Sequence, residues 1–192
     1  GVKGVITTLY DIPAGEVWPM ERILQMKEQV EASGLKVLGI ESVNIHDAIK
    51  VGTPDREQYI ANYITTLERL GQAGIHVVCY NFMPVFDWTR TELARMRPDG
   101  STVLAYNQAA VDAIDPAKMF ESIAGDMNGT VMPGWEPERM ARIKELFDMY
   151  KDVDEDRLFD NLVYFLKAIQ PVCETYDIKM AIHPDDPAWP VF

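Results

Sequence analysis

Histidine and cysteine are scarce in this chain, and basic residues are outnumbered by acidic ones. Of 192 residues only three are His and two are Cys, and 18 Lys+Arg face 30 Asp+Glu for a net charge of −12. Cys79 and Cys173 lie far apart inside apolar stretches, which leaves a disulfide framework or a Cys-pair zinc site without support and fits a reducing cytoplasm. The acidic balance, with a sequence pI near 4.6, argues against nucleic acid or an anionic membrane as partner, because both attract through clustered Lys and Arg. No run approaches the roughly 18 apolar residues that span a bilayer, and the opening Gly1-Val2-Lys3-Gly4-Val5 lacks the basic and apolar regions of a signal peptide. G-x-G-x-x-G, G-x-x-x-x-G-K-[ST] and G-x-S-x-G are all missing, which weakens dinucleotide, P-loop and α/β-hydrolase readings.

What is present describes an ordered globular chain. Hydrophobic residues make up 47% and charged residues 25%, which is enough for a core and excludes a disordered polymer. The length falls short of the roughly 250 residues of a complete (β/α)8 barrel. A start without Met and a stop at Pro190-Val191-Phe192, straight after a loop, read as part of something longer.

The apolar pattern predicts strands and helices in alternation. Val2 to Tyr10 is β-branched and apolar and reads as a buried strand needing cover on both faces. From Pro19 to Ser33, Met20, Ile23, Leu24, Met26 and Val30 fall near helical spacing, and Gly34 supplies a stop. Lys36 to Val43 is a second strand. Thr53-Pro54-Asp55 opens a helix to about Gly71 with Tyr59, Tyr63, Leu67 and Leu70 on one face, and Ile75 to Phe82 is a third strand. Met83 to Asp152 breaks the rhythm with proline and glycine punctuation. An insertion that long at a strand end reads as a lid or substrate loop at about 83–152, with a helix over Glu136 to Tyr150. From Asp154 a long helix presents Leu158, Leu162, Phe165, Ile169 and Val172 on one face, with a kink expected at Pro171; Ile178 to Ile182 is a fourth strand. Strands alternating with amphipathic helices imply parallel pairing through right-handed crossovers, hence an α/β fold, either doubly wound or part of a β/α barrel.

In both architectures chemistry gathers where strands end and loops begin. That rule nominates Tyr10-Asp11, Glu41 through His46, Asn81-Phe82 and His183 through Asp186. A neutral imidazole at a strand terminus, as at His183, can bind a divalent metal while Asp185 or Asp186 orients it or holds substrate; the alternative is a strand cap followed by a turn. Glu41 interrupts an apolar run, and a buried carboxylate needs a metal or a cation, although it could equally face a solvated rim. Glu41 and His46 are the candidate catalytic residues, and His46 could serve as an acid or base, or simply be a solvated loop residue. Trp88 and Arg90 could supply an apolar wall and a carboxylate clamp, against the simpler reading of a surface ion pair. His76 opens a strand at the opposite end and is assigned to structure, as are Cys79 and Cys173 as buried thiols.

Several segments carry a family resemblance: Leu9-Tyr10-Asp11-Ile12-Pro13, Gly15-Glu16-Val17-Trp18-Pro19, Tyr80 through Arg90 (YNFMPVFDWTR), Ala105-Tyr106-Asn107, Pro133-Gly134-Trp135 and Ile182-His183-Pro184-Asp185-Asp186-Pro187. Together they resemble D-mannonate dehydratase across essentially the whole chain. The resemblance implies a xylose-isomerase-like TIM barrel and a metal-dependent lyase, with Mn2+ or Fe2+ as cofactor. It implies conversion of the sugar acid D-mannonate to 2-keto-3-deoxy-D-gluconate in hexuronate (glucuronate) catabolism, in the cytoplasm, with no nucleic acid or membrane partner and a homo-oligomer compatible with it. By resemblance the family's first metal-binding histidine falls on His183. The further ligands, a Cys, a second His and an Asp, come from later strands expected beyond Phe192, and neither Cys79 nor Cys173 stands in for that Cys. The chain is then a single partial barrel domain over 1–192, an interior portion covering about strands two to five of eight. It supplies one ligand, polyol contacts from Asn81, Glu41 and His46, and too few groups for a complete centre. Two other readings stand beside this one: a sugar isomerase or epimerase on the same barrel, and a catalytically silent fragment or small-molecule binding domain.

Overall fold

The computed structural model describes residues 1–85, 91–107, 109 and 143–183. Within these, four strands form one parallel sheet in the order β1-β2-β3-β6, comprising β1 (Gly4–Thr7), β2 (Lys36–Ile40), β3 (Val77–Tyr80) and β6 (Lys179–Ile182). The connections between them carry α1 (Met20–Ala32), α2 (Asp47–Val51), α3 (Arg56–Gln72), α4 (Ile143–Tyr150) and α5 (Glu155–Thr175). This is the expected α/β alternation, with the second and third strands parallel as expected. No helix among the described residues is long and apolar enough to cross a membrane.

The helices form where their sequences cap and bury well. α5 begins at Asp154, whose carboxylate accepts the Arg157 N–H at 2.9 Å, and it seats Phe165, Ile169 and Val172 in the core. It is one element to Thr175 with Pro171 inside it. α3 buries Ile60, Tyr63, Leu67 and Leu70 against the same core, which also takes Ile23 and Met26 of α1 and Ile40 and Val78 from the sheet. Leu24, which the helical spacing of α1 also marked, is half exposed on the outer side of that helix.

Strands are shorter than the apolar runs that announce them. β1 stops at Thr7 because Tyr10 and Asp11 already turn, and Asp11 pairs with Arg22 at 2.8 Å across that turn. Cover on both faces, expected for this first strand, is incomplete among the described residues, where Ile6 is 53% exposed. Two elements were not expected. α2 is one such element, and a β-hairpin of β4 (Glu92–Met96) and β5 (Thr102–Ala105), turning through Asp99 and Gly100, is the other. Of the helix expected over Glu136 to Tyr150, the part from Ile143 is present and the remainder lies outside the described residues.

α2 is short and held from several sides. His46 caps it by accepting the Ala48 N–H at 3.1 Å on Nδ1, and Gly52 ends it in the left-handed region with φ 80°. Lys50, 3% exposed, donates Nζ–H to the Met83 carbonyl at 3.0 Å, and the Asn161 amide of α5 donates to the Lys50 carbonyl at 2.9 Å. The Tyr150 hydroxyl donates to Asp47 at 2.8 Å. A side chain at position 52 would have both an unfavourable backbone conformation and a Cβ 2.6 Å from the Asn161 Oδ1. Gly52→Ala is therefore expected to lower stability by about 1 to 3 kcal/mol in a thermal or denaturant melt, and a neutral result would show that α2 is free to shift away from α5.

Candidate functional site

The carboxyl edge of the parallel sheet brings together residues that the sequence separates widely. Glu41 follows β2 directly, its N–H donating to the Thr7 carbonyl at 3.0 Å, and the Glu41–Ser42 peptide is cis. His183 follows β6 directly, its N–H donating to the Tyr80 carbonyl at 2.7 Å. Both residues thus extend the ladder one step past their strands, and side chains alternate across a sheet. Cys79 lies opposite Ala181 in the β3–β6 pairing, so His183, two residues beyond Ala181, shares the Cys79 face. Gly39 faces Val77 of β3, with only 3.1 Å between an added Cβ and the Val77 Cβ, which puts Glu41 on that face too.

The result is a direct hydrogen-bonded pair between the Glu41 carboxylate and the Nε2 of His183, 142 residues apart. Both side chains are a little under half exposed, at 43% and 47%, so the pair borders solvent rather than the core. Asn81 leaves β3 between the two strands, and its Oδ1 is buried with no hydrogen-bond partner among the described residues. A buried acceptor without a donor is costly, typically about 1 to 3 kcal/mol, unless something else supplies the hydrogen bond. Beneath the pair, burial raises the Cys79 thiol above its ordinary pKa, and the neighbouring Glu41 charge and its hydrogen bond raise it further. Cys79 is therefore a neutral donor, not a thiolate.

The remaining candidates are placed differently. His46 sits at the start of α2, with one ring nitrogen engaged in the cap and the ring stacked on Tyr59 at 3.6 Å between centroids and 9° between planes. His76 lies at the opposite end of β3, its Nδ1 2.9 Å from the Tyr176 carbonyl, in keeping with the structural role expected for it. Trp88, Arg90 and Asp185 lie outside the described residues. Among the described residues no group of three or more His, Cys, Asp and Glu is arranged to hold a metal. A cavity of about 10 Å³ between the Ile12–Glu16 turn and Val43-Asn44 has room for one water, and an apolar groove of about 460 Å³ along α5 and β6 holds none of the candidates.

Sequence reasoning passed over two polar residues near this edge. Cys79 looked like inert packing, and its position under Glu41 depends on strand register, which a single sequence does not reveal. Lys50, buried in α2, lies in a helix too short to show any periodicity.

The family model described as D-mannonate dehydratase (UxuA) matches residues 1–192. The mannonate dehydratase of Brachyspira hyodysenteriae is 66% identical over 192 residues, covering 100% of this chain and 54% of that protein. That of Geobacillus thermodenitrificans is 57% identical, again over 100% of this chain and over 52% of its own length. The crystal structure of mannonate dehydratase from Streptococcus suis serotype 2 superposes with a TM-score of 0.82 at 42% identity, covering 99% of this chain and 48% of that one. The chain spans about half the length of the curated relatives it matches.

Proposed function

This chain belongs to the D-mannonate dehydratase family, and from that premise we propose that it forms part of a metal-dependent hydro-lyase that converts D-mannonate to 2-keto-3-deoxy-D-gluconate in hexuronate breakdown. The observation that carries the reading is the convergence of Glu41, Asn81 and His183 on the carboxyl edge of a parallel α/β sheet, where barrel enzymes keep their chemistry. The α/β units themselves are part of a TIM-barrel-like fold.

The reaction removes a weakly acidic proton α to a carboxylate and expels the hydroxyl on the next carbon, so it needs charge stabilisation, a base and an acid. Of these residues the His183 imidazole is the metal donor, a borderline ligand compatible with Mn2+ or Fe2+. His183 would hold the ion as one of several ligands, the others lying outside the described residues. When bound, the cation supplies positive charge for the oxyanion that develops on the substrate. The unpartnered Asn81 Oδ1 accepts a hydrogen bond from a substrate hydroxyl, which removes the cost of leaving it buried and alone. In the same reading Trp88 walls the substrate, Arg90 clamps its carboxylate, Asp185 contacts it, and His46 is a further proton-handling group where the chain leaves β2. Residues 1–192 then form one partial barrel domain with a lid-like insertion at about 83–152, acting in the cytoplasm, and a homo-oligomer is compatible with it.

The test uses the full-length protein. With Mn2+ restored after exhaustive chelation, D-mannonate is expected to yield a product lighter by one water in the mass spectrum, and none without metal. A product isomeric with the substrate, or undiminished turnover in the chelated protein, would overturn the proposal.

A further inference from the structure

We propose that Glu41 is a positioning residue that fixes the ring of His183. The inference rests on the assignment of His183 as a metal ligand and adds how that ligand is held.

The hydrogen-bond inventory carries the argument. An ionised carboxylate only accepts, so the Nε2 of His183 that meets Glu41 must bear the hydrogen. In a neutral ring the lone pair then resides on Nδ1, which makes Nδ1 the donor atom left for a cation. Metal-binding imidazoles are commonly oriented in this way, the second nitrogen donating to a carboxylate that fixes tautomer and ring plane. Glu41 is itself well anchored. Its backbone is tied to Thr7, and strand register puts it on the same face of the sheet as Cys79 of β3. Gly39 and Ala181, one step back on the flanking strands, are small enough to leave room beneath the pair. The roles of the two partners therefore divide, with His183 reaching the ion and Glu41 aiming it.

The experiment compares two replacements in the full-length protein, read by Mn2+ titration under electron paramagnetic resonance and by 15N spectra of the metal-free histidines. Glu41→Ala removes the acceptor and is expected to weaken Mn2+ binding by about 10- to 100-fold and to replace the single Nε2–H tautomer of His183 with a mixture. Glu41→Gln retains a carbonyl that can accept the same N–H, so it is expected to keep the tautomer and to lose less than about tenfold. Equal, large losses in Glu41→Gln and Glu41→Ala would overturn the proposal, because Glu41 would then be an anionic ligand in its own right. No change in either variant would also overturn it. The 15N spectra need no metal, so they test the Glu41–His183 pair even if His183→Ala were to leave Mn2+ binding intact, which would sink the ligand assignment alone.

Discussion

His183→Ala is expected to lower the Mn2+ affinity and mannonate turnover of the full-length protein by about 10- to 100-fold or more, while leaving its melting temperature in chelator nearly unchanged. The asymmetry follows from where the side chain stands. Packing around β6 is done by Ile178, 4% exposed, and by Met180 against the core, whereas the His183 ring is nearly half exposed at the strand end. Removing the ring opens no core cavity, and the Glu41 carboxylate it leaves behind is exposed enough to be hydrated. Rim substitutions of this kind typically cost only a fraction of a kcal/mol. The decisive pairing of measurements is Mn2+ titration with a melt in chelator. Intact metal affinity and turnover together with a much lower melting temperature would make His183 a structural residue and sink its assignment as ligand.

Phe165→Ala should behave in the opposite way, costing about 3 to 5 kcal/mol of stability through a cavity at the centre of the core. The side chain is fully buried in α5, edge-on to Tyr63 of α3 at 5.0 Å and 83°, and 6.2 Å from Phe82 where the chain leaves β3. One ring therefore joins two helices and the loop after the central strand. Aromatic pairs of this geometry contribute roughly 0.5 to 1.5 kcal/mol beyond area burial, so part of the loss comes from the contacts and not from volume alone. Phe165→Leu, which keeps most of the apolar volume, should recover more than half of the loss in denaturant unfolding. A Phe165→Ala cost below about 1 kcal/mol would mean that α5 closes onto the sheet without resistance, and the core described above would be wrong at its centre.

The features legible in the sequence were those with a long period. The faces of α3 and α5 and the alternation of strands and helices were readable because each repeats several times within its segment, and a parallel α/β sheet follows from that order. α2 was not readable, since its five residues span little more than one turn and its cap is a histidine where Ser, Thr, Asp or Asn is usual. The β4–β5 hairpin was passed over for a different reason. Its first strand is exposed throughout and offers no apolar stripe, and only the Pro98-Asp99-Gly100 turn chemistry marks it. At the candidate site, strand ends nominated Glu41, Asn81 and His183 one at a time. Their meeting depends on β2, β3 and β6 being neighbours in register, a tertiary fact without a local trace.

The short helix α2 has a consequence for how this fold tolerates change. Lys50 grips the chain at Met83 as it departs from the sheet, and Asp47 grips it at Tyr150 as it comes back. The two ends of the stretch between are thus pinned to the same small base. For a flexible connection between fixed ends, doubling the length costs only about 0.6 kcal/mol in closure entropy, far less than disturbing a packed strand. Additions, deletions or a wholesale exchange of this stretch between relatives can therefore be absorbed without altering the register of β3 and β6 or the approach of Glu41 to His183, provided positions 47 and 50 keep their partners.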